Sequence, residues 1–285
     1  MDQKIIDLYD DFTHGEISRR SFLDRLTSLA GSAAAATALL PLLQNNYALA
    51  QTVPENDQRI ATESVDVPGG QPGLKGYLAK PRTGDKLPTV LVVHENRGVN
   101  PHIRDVTRRF ATEGFLALGI DLLSPFGGSP EDDDKGREMF ALVKAPEAVA
   151  NAQAAFAYLI GRPDGNGKAG AVGFCFGGGI VNSLAVVEPR LAAGVAYYGR
   201  APNPADVPKI KAAMLLHYGG LDQGVNQGIP GFEAALKQAG TTYELYVYEG
   251  ANHAFNNETN AARYNKAAAD LSWGRTIAWL KKHVA

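Results

Sequence analysis

From residue 61 onward, short apolar runs alternate with longer stretches that carry apolar residues on one helical face. Residues 63–67 and 74–80 read as two strands around Pro68-Gly69-Gly70-Gln71-Pro72-Gly73, an antiparallel hairpin. Thr89-Val90-Leu91-Val92-Val93 is a continuous apolar run, the pattern of a strand covered on both faces. Ile103, Val106 and Phe110 share a helical face, and residues 115–119 return as strand. Pro146 opens a helix that turns Val149, Ala152, Phe156, Leu159 and Ile160 to one side and stops at Gly161 and Pro163. Strands at 168–172 and 212–217 follow, with a helix over 179–187 after the first of them. Residues 241–248 then alternate, with Tyr243, Leu245 and Val247 on one face, and a helix over 261–282 closes the chain. Repeated βα units predict an α/β fold, a mostly parallel central sheet with helices on both faces. Neither a repeat nor an internal linker interrupts residues 51–285, so they form a single domain.

The first 50 residues have a different texture. Ser18-Arg19-Arg20-Ser21-Phe22-Leu23 is similar to a twin-arginine export signal, and an apolar stretch of small residues follows at 26–43. Ala48-Leu49-Ala50 fits a cleavage site that would start the mature chain near Gln51. On that reading residues 1–50 are a leader and the protein is periplasmic or exported. The alternative is an amphipathic N-terminal helix that stays attached to a cytoplasmic protein, which the long acidic lead-in at 1–17 and the charges of Asp24 and Arg25 would suit. Gly, Ser, Thr and Pro dilute the apolar stretch too much for a stable membrane anchor.

Composition narrows the function classes. The chain of 285 residues is 45% hydrophobic and 20% charged with a formal net charge of −2, ordinary for a globular enzyme with a substantial core. No basic excess points to nucleic acid. A single Cys rules out an internal disulfide and a Cys-rich metal site, and no cofactor or metal is implied by the spacing of the six His.

That cysteine sits in Gly173-Phe174-Cys175-Phe176-Gly177-Gly178, where a strand turns into a helix. A lone cysteine is usually a small buried apolar residue. Here the surroundings match the G-x-nucleophile-x-G elbow, in which glycines two residues either side leave room for a strained turn. In that architecture the acid and the histidine follow in order, each after a strand. Asp222 lies in Gly219-Gly220-Leu221-Asp222 just past the 212–217 strand, and His253 lies in the loop after 241–248. Either residue alone would be an ordinary solvated loop residue, but the three in sequence spell a Cys-His-Asp triad. Cys175 would attack, His253 would move the proton, and Asp222 would hold the imidazole in the useful tautomer.

Beyond the triad, the sequence resembles the dienelactone hydrolase family, the cysteine-dependent branch of the α/β-hydrolases. The resemblance rests on His94-Glu95-Asn96-Arg97-Gly98-Val99-Asn100 with Ile103-Arg104-Asp105, Gly119-Ile120-Asp121-Leu122, the Cys175 elbow, Ala196-Tyr197-Tyr198-Gly199, Gly219-Gly220-Leu221-Asp222 and Gly250-Ala251-Asn252-His253-Ala254-Phe255, spread over residues 60–283. It implies a carboxylic ester or lactone hydrolase of the carboxymethylenebutenolidase kind, acting on a small molecule through an acyl-cysteine. It implies an oxyanion hole from the backbone N–H groups of Phe176 and Asn96, and a switch role for Glu95, which would contact the resting thiol and help to deprotonate it. A structural alternative pairs Glu95 with Arg97 or Arg104. Family members acting on dienelactone hold its carboxylate with arginines, one of them four residues after the catalytic histidine. Asn257 occupies that position here, and Arg137 is a candidate for the other. An amide cannot replace a bidentate guanidinium, which puts neutral esters, lactones or aryl esters on at least equal footing with anionic dienelactone.

Two other classes compete. A thiol-redox protein would use Cys175 but leaves Asp222 and His253 unexplained and offers no resolving partner. A non-catalytic binder on the same fold, or a nucleotide site at Phe176-Gly177-Gly178-Gly179, lacks both the G-x-G-x-x-G spacing and a P-loop lysine. The oligomeric state is open.

Overall fold

A computed structural model describes residues 1–285. Three helices come first: α1 (Gln3–Thr13), α2 (Arg19–Ala30) and α3 (Ala33–Leu43). Each starts on a polar cap, with Asp2, Ser18 and Ser32 accepting from the backbone N–H of Lys4, Ser21 and Ala35. Gly31, left-handed at φ 80°, ends α2. The apolar stretch at 26–43 is thereby split into two helices bent by 113°, and no single helix in the chain is long and apolar enough to cross a membrane.

The hairpin follows as β1 (Ile60–Asp66) and β2 (Lys75–Pro81), antiparallel with Ile60 opposite Pro81. Then come β3 (Leu87–Val93), α4 (Pro101–Thr112), β4 (Leu116–Asp121), α5 (Asp133–Phe140), α6 (Ala145–Ile160) and β5 (Gly165–Phe174). The rest of the chain builds α7 (Phe176–Val187), β6 (Ala193–Tyr197), β7 (Ala213–Gly219), the single turn α8 (Gln223–Asn226), α9 (Ile229–Ala239), β8 (Tyr243–Tyr248) and α10 (Lys266–Val284). One eight-stranded sheet results, in the order β1-β2-β4-β3-β5-β6-β7-β8. It is antiparallel through β1, β2 and β4 and parallel from there on.

The expected two-sided cover is present. Leu91 and Val93 of β3 face a core shared with α6, α7 and α9, while Val90 and Val92 face a second core shared with α4 and α10. All four are fully buried, and burying each such side chain is worth about 1.5–3 kcal/mol. A parallel sheet collects its strand ends on one edge, where β3, β5, β7 and β8 each hand over to a loop, so the candidate residues come from one edge of the sheet.

One expectation is corrected. The closing helix starts at Lys266 rather than 261, because Asn265 caps it through the N–H of Ala268 and the preceding residues form an Asn-rich turn. Tyr243, Leu245 and Val247 alternate along the edge strand β8 as expected, and Val247 is 51% exposed.

Candidate active site

Cys175 stands between β5 and α7 with φ 54° and ψ −117°, a conformation a side-chain-bearing residue adopts only under constraint. The constraint is steric. A Cβ on Gly173 would lie 2.0 Å from the carbonyl oxygen of Gly177, and one on Gly177 would lie 2.3 Å from that of Val93. Glycines at these two positions let the chain reverse direction and lift the thiol above the strand ends. The first N–H groups of α7 precede any intrahelical acceptor, so that of Phe176 is free beside Cys175.

Asp222 follows β7 and is buried at the start of α8, where Oδ1 accepts from the N–H of Val225 at 3.1 Å. Its Oδ2 pairs with Nδ1 of His253 at 2.6 Å. The other ring nitrogen, Nε2, is buried without a hydrogen-bond partner. It therefore points a free proton-carrying atom at the thiol side of the site, and donor atoms of Cys175 and His253 lie within 4.8 Å of each other. Burial works against charging either group, yet each outweighs that for the other. The thiol is lowered to about 6 by His253 and His14, and His253 is held well above its ordinary value by Cys175 and Asp222. Each group's charge favours the opposite charge on the other, so the two titrate as a pair.

Glu95, at the end of the loop entry after β3, is 5% exposed. Neither Arg97 nor Arg104 pairs with it. Arg97 reaches Asp133 at 3.4 Å and the hydroxyl of Tyr9 at 3.4 Å, and Arg104 donates to the carbonyl of Val99. The Glu95 carboxylate instead accepts from the Asn257 amide at 3.2 Å and the Tyr198 hydroxyl at 3.5 Å. Asn257 is fully buried, with Oδ1 accepting from Thr259, so its amide orients Glu95 rather than facing a substrate. No hydrogen bond joins Glu95 to the thiol. Asn96 lines the same cavity, and its side chain donates to the Thr13 carbonyl at 2.6 Å. Arg137 is not brought to the nucleophile; its guanidinium lies over the Phe12 ring at 4.3 Å.

The thiol's hydrogen-bond partner is His14, whose Nε2 is 3.5 Å from Sγ. Desolvation opposes charge on this ring too, but the adjacent Cys175 raises it above the ordinary histidine value. His14 packs edge-on to His253 with centroids 4.7 Å apart. Donor atoms of His14, Cys175 and His253 lie within 4.8 Å of one another, close enough to share one soft metal ion, a grouping that no spacing in the sequence reveals. Thr13, His14, Glu95, Asn96, Arg97, Cys175, His253, Ala254 and Arg263 enclose a cavity of about 10 Å³. A wider hollow of about 430 Å³ near Arg109, Glu258 and Trp273 is lined by neither cysteine nor histidine.

Sequence reasoning missed His14, Arg263 and the part played by Tyr198. Tyr198 was visible only as part of the Tyr197-Tyr198-Gly199 motif; its φ of 39° and its contact with Glu95 are tertiary facts. Nothing in the sequence pairs residue 14 with residue 175.

The profile of the Dienelactone hydrolase family matches residues 74–284, and one described as YqhI-like matches residues 1–31. A protein of Methylorubrum extorquens named as a candidate carboxymethylenebutenolidase is 32% identical over 283 residues, covering 94% of this chain and 96% of its own. The crystal structure of a candidate dienelactone hydrolase from Klebsiella pneumoniae superposes with a TM-score of 0.71 at 28% identity, covering 79% of this chain and 99% of its own. That of a dienelactone hydrolase from Anabaena variabilis gives 0.63 at 25% identity, covering 80% of this chain and 100% of its own.

Proposed function

The chain belongs to the dienelactone hydrolase family, and we propose that it cleaves its ester or lactone substrates by acyl transfer to Cys175. The observation that carries this reading is the free Nε2 of His253, oriented by Asp222 and directed at a thiol poised on a strained elbow. The thiolate attacks the scissile carbonyl carbon, and the C–S bond forms as the carbonyl electrons move to oxygen. The N–H groups of Phe176 and Asn96 receive that oxyanion; losing one such donor typically costs about 3 kcal/mol. Collapse breaks the C–O bond, and Nε2 of His253 gives its proton to the departing oxygen. The now neutral imidazole takes a proton from water, whose attack releases the acid and restores thiolate and imidazolium. With the mature chain that begins near Gln51, a burst of p-nitrophenol from p-nitrophenyl acetate, equal to the enzyme present, is the expected signature, and linear release from the first turnover would count against a slow acyl-enzyme step.

The electrostatics give a pH test. The thiolate is the reactive form and the thiol's lowered value is about 6, so iodoacetamide should react faster as pH rises through that region and level off above it. His14→Ala removes one cationic neighbour, which disfavours the thiolate and should move the midpoint upward. An unmoved midpoint would show that His253 alone sets the thiol.

Asn257 does not supply a substrate cation, but Arg97 and Arg263 line the nucleophile's cavity. Esters carrying a carboxylate near the scissile bond are therefore accepted alongside neutral ones. The ratio of kcat/KM for p-nitrophenyl acetate and its monosuccinate counterpart measures this, and a hundredfold preference for the neutral ester would exclude it.

For the leader we propose export through the twin-arginine route, on the strength of Arg19-Arg20 and the Ala48-Leu49-Ala50 site. A mature chain beginning near Gln51 should be recovered outside the cytoplasm, and changing both arginines to lysine should retain the precursor inside. A full-length wild-type chain that stays cytoplasmic would refute it.

A further inference from the structure

Residues 1–43 lie across the mouth of the site. At the carboxyl end of α1 the chain sets His14 against the Cys175 thiol, and the space left there is about 10 Å³, room for about one water molecule. Docked in this way, the segment leaves the thiol only partly exposed, with too little space beside it for an ester.

The manner of docking matters as much as the place. The segment has its own small core, in which Phe12 and Phe22 stack at 4.7 Å and Leu26 and Leu43 are fully buried. Of the apolar residues outside the segment only Ala262 packs against that core, Arg137 and Arg263 lie over its Phe12 and Tyr9 rings, and neither core of the sheet shares a residue with it. Polar contacts do the holding. Asp10 pairs with Arg263 at 2.6 Å, Thr13 accepts from Asn96, and Arg19 pairs with Asp134. Further back, the Leu43 carbonyl accepts from Asn260 at 2.6 Å. The Asp10–Arg263 pair and the Asn96 and Asn260 contacts are buried while the segment is docked, but on release both partners of each contact return to water together, so none is left buried without a partner. The segment can leave as a unit without opening the sheet.

We infer that residues 1–43 are a built-in inhibitor, a detachable helical cover that blocks Cys175 and occupies Arg263 with the Asp10 carboxylate until it is released. This rests on the hydrolase reading of the site. Cleavage near Gln51 would then make export and activation a single event.

The experiment keeps the folded full-length chain and cuts it afterwards. A specific protease site is inserted between Gln51 and Thr52, both exposed, and the nicked protein is separated in high salt. Release should raise both the iodoacetamide alkylation of Cys175 and p-nitrophenyl acetate turnover by at least tenfold, and a synthetic peptide of residues 1–46 should lower both again. In the uncut chain, Asp10→Ala with Arg19→Ala should raise alkylation in the same direction, which carries the test if the stripped domain unfolds. Alkylation unchanged by release and by the double variant would overturn the cover. Alkylation that rises with no ester turnover in any form would leave the cover standing and refute the hydrolase reading instead.

Discussion

Cys175→Ala is expected to lower esterase turnover of the released domain by ~10³ or more, about 4 kcal/mol of lost transition-state stabilisation, with the fold retained. The thiol is partly buried, and its replacement by a methyl group removes one sulfur from a site already held open by Gly173 and Gly177. Melting temperature should therefore change little, while the p-nitrophenol burst should vanish. Both readouts are needed. A large fall in rate with an equally large fall in stability would point to an elbow that depends on the sulfur for its packing. An intact burst would remove Cys175 from the chemistry altogether.

The second large effect belongs to Asp222. Its Oδ2 accepts from Nδ1 of His253, which fixes the proton there and leaves Nε2 facing the thiol. Asp222→Asn offers an amide in place of the carboxylate, so the imidazole is presented in the wrong tautomer and its charged form loses its counter-ion. Turnover should fall by ~10²–10⁴, as when the acid member of such triads is neutralised. The thiol should also become harder to ionise, because a less readily protonated His253 no longer offsets the cost of a buried thiolate. The pH midpoint of iodoacetamide alkylation should accordingly move up from about 6 toward the ordinary thiol range. A rate loss without that movement would mean that Asp222 acts on the ring's orientation alone.

The sheet was legible because its signals are local. The run at 89–93 could be buried only on both faces, and the burial of Val90, Leu91, Val92 and Val93 bears this out. The Gly-x-Cys-x-Gly spacing likewise demanded a tight turn, and the clashes at Gly173 and Gly177 give the reason. The order of Cys175, Asp222 and His253 along the chain, each after a strand, was enough to anticipate that a parallel sheet would gather them on one edge. Where local pattern weakened, the reading slipped. The Asn-rich turn before α10 was absorbed into the helix.

The surroundings of the triad were decided in three dimensions. Asn257 looked like a lost substrate contact, since its position relative to His253 is all that sequence offers; in the fold its amide turns to Glu95. Glu95 was expected at the thiol or beside an arginine, and it is held by Asn257 and Tyr198 instead. Residues 1–50 read as a cleavable leader or an attached amphipathic helix, and neither reading placed them at the active site; in the fold they set His14 on the nucleophile, 161 residues away in sequence. By itself, then, the sequence determined the fold class, the elbow and the placing of Cys175, Asp222 and His253 each just after a strand, because backbone sterics and hydrophobic periodicity act between near neighbours. Only the tertiary structure decided which polar groups share the buried space around Cys175. Those pairings join distant segments, and their partners are selected by the geometry of the folded surface rather than by any spacing along the chain.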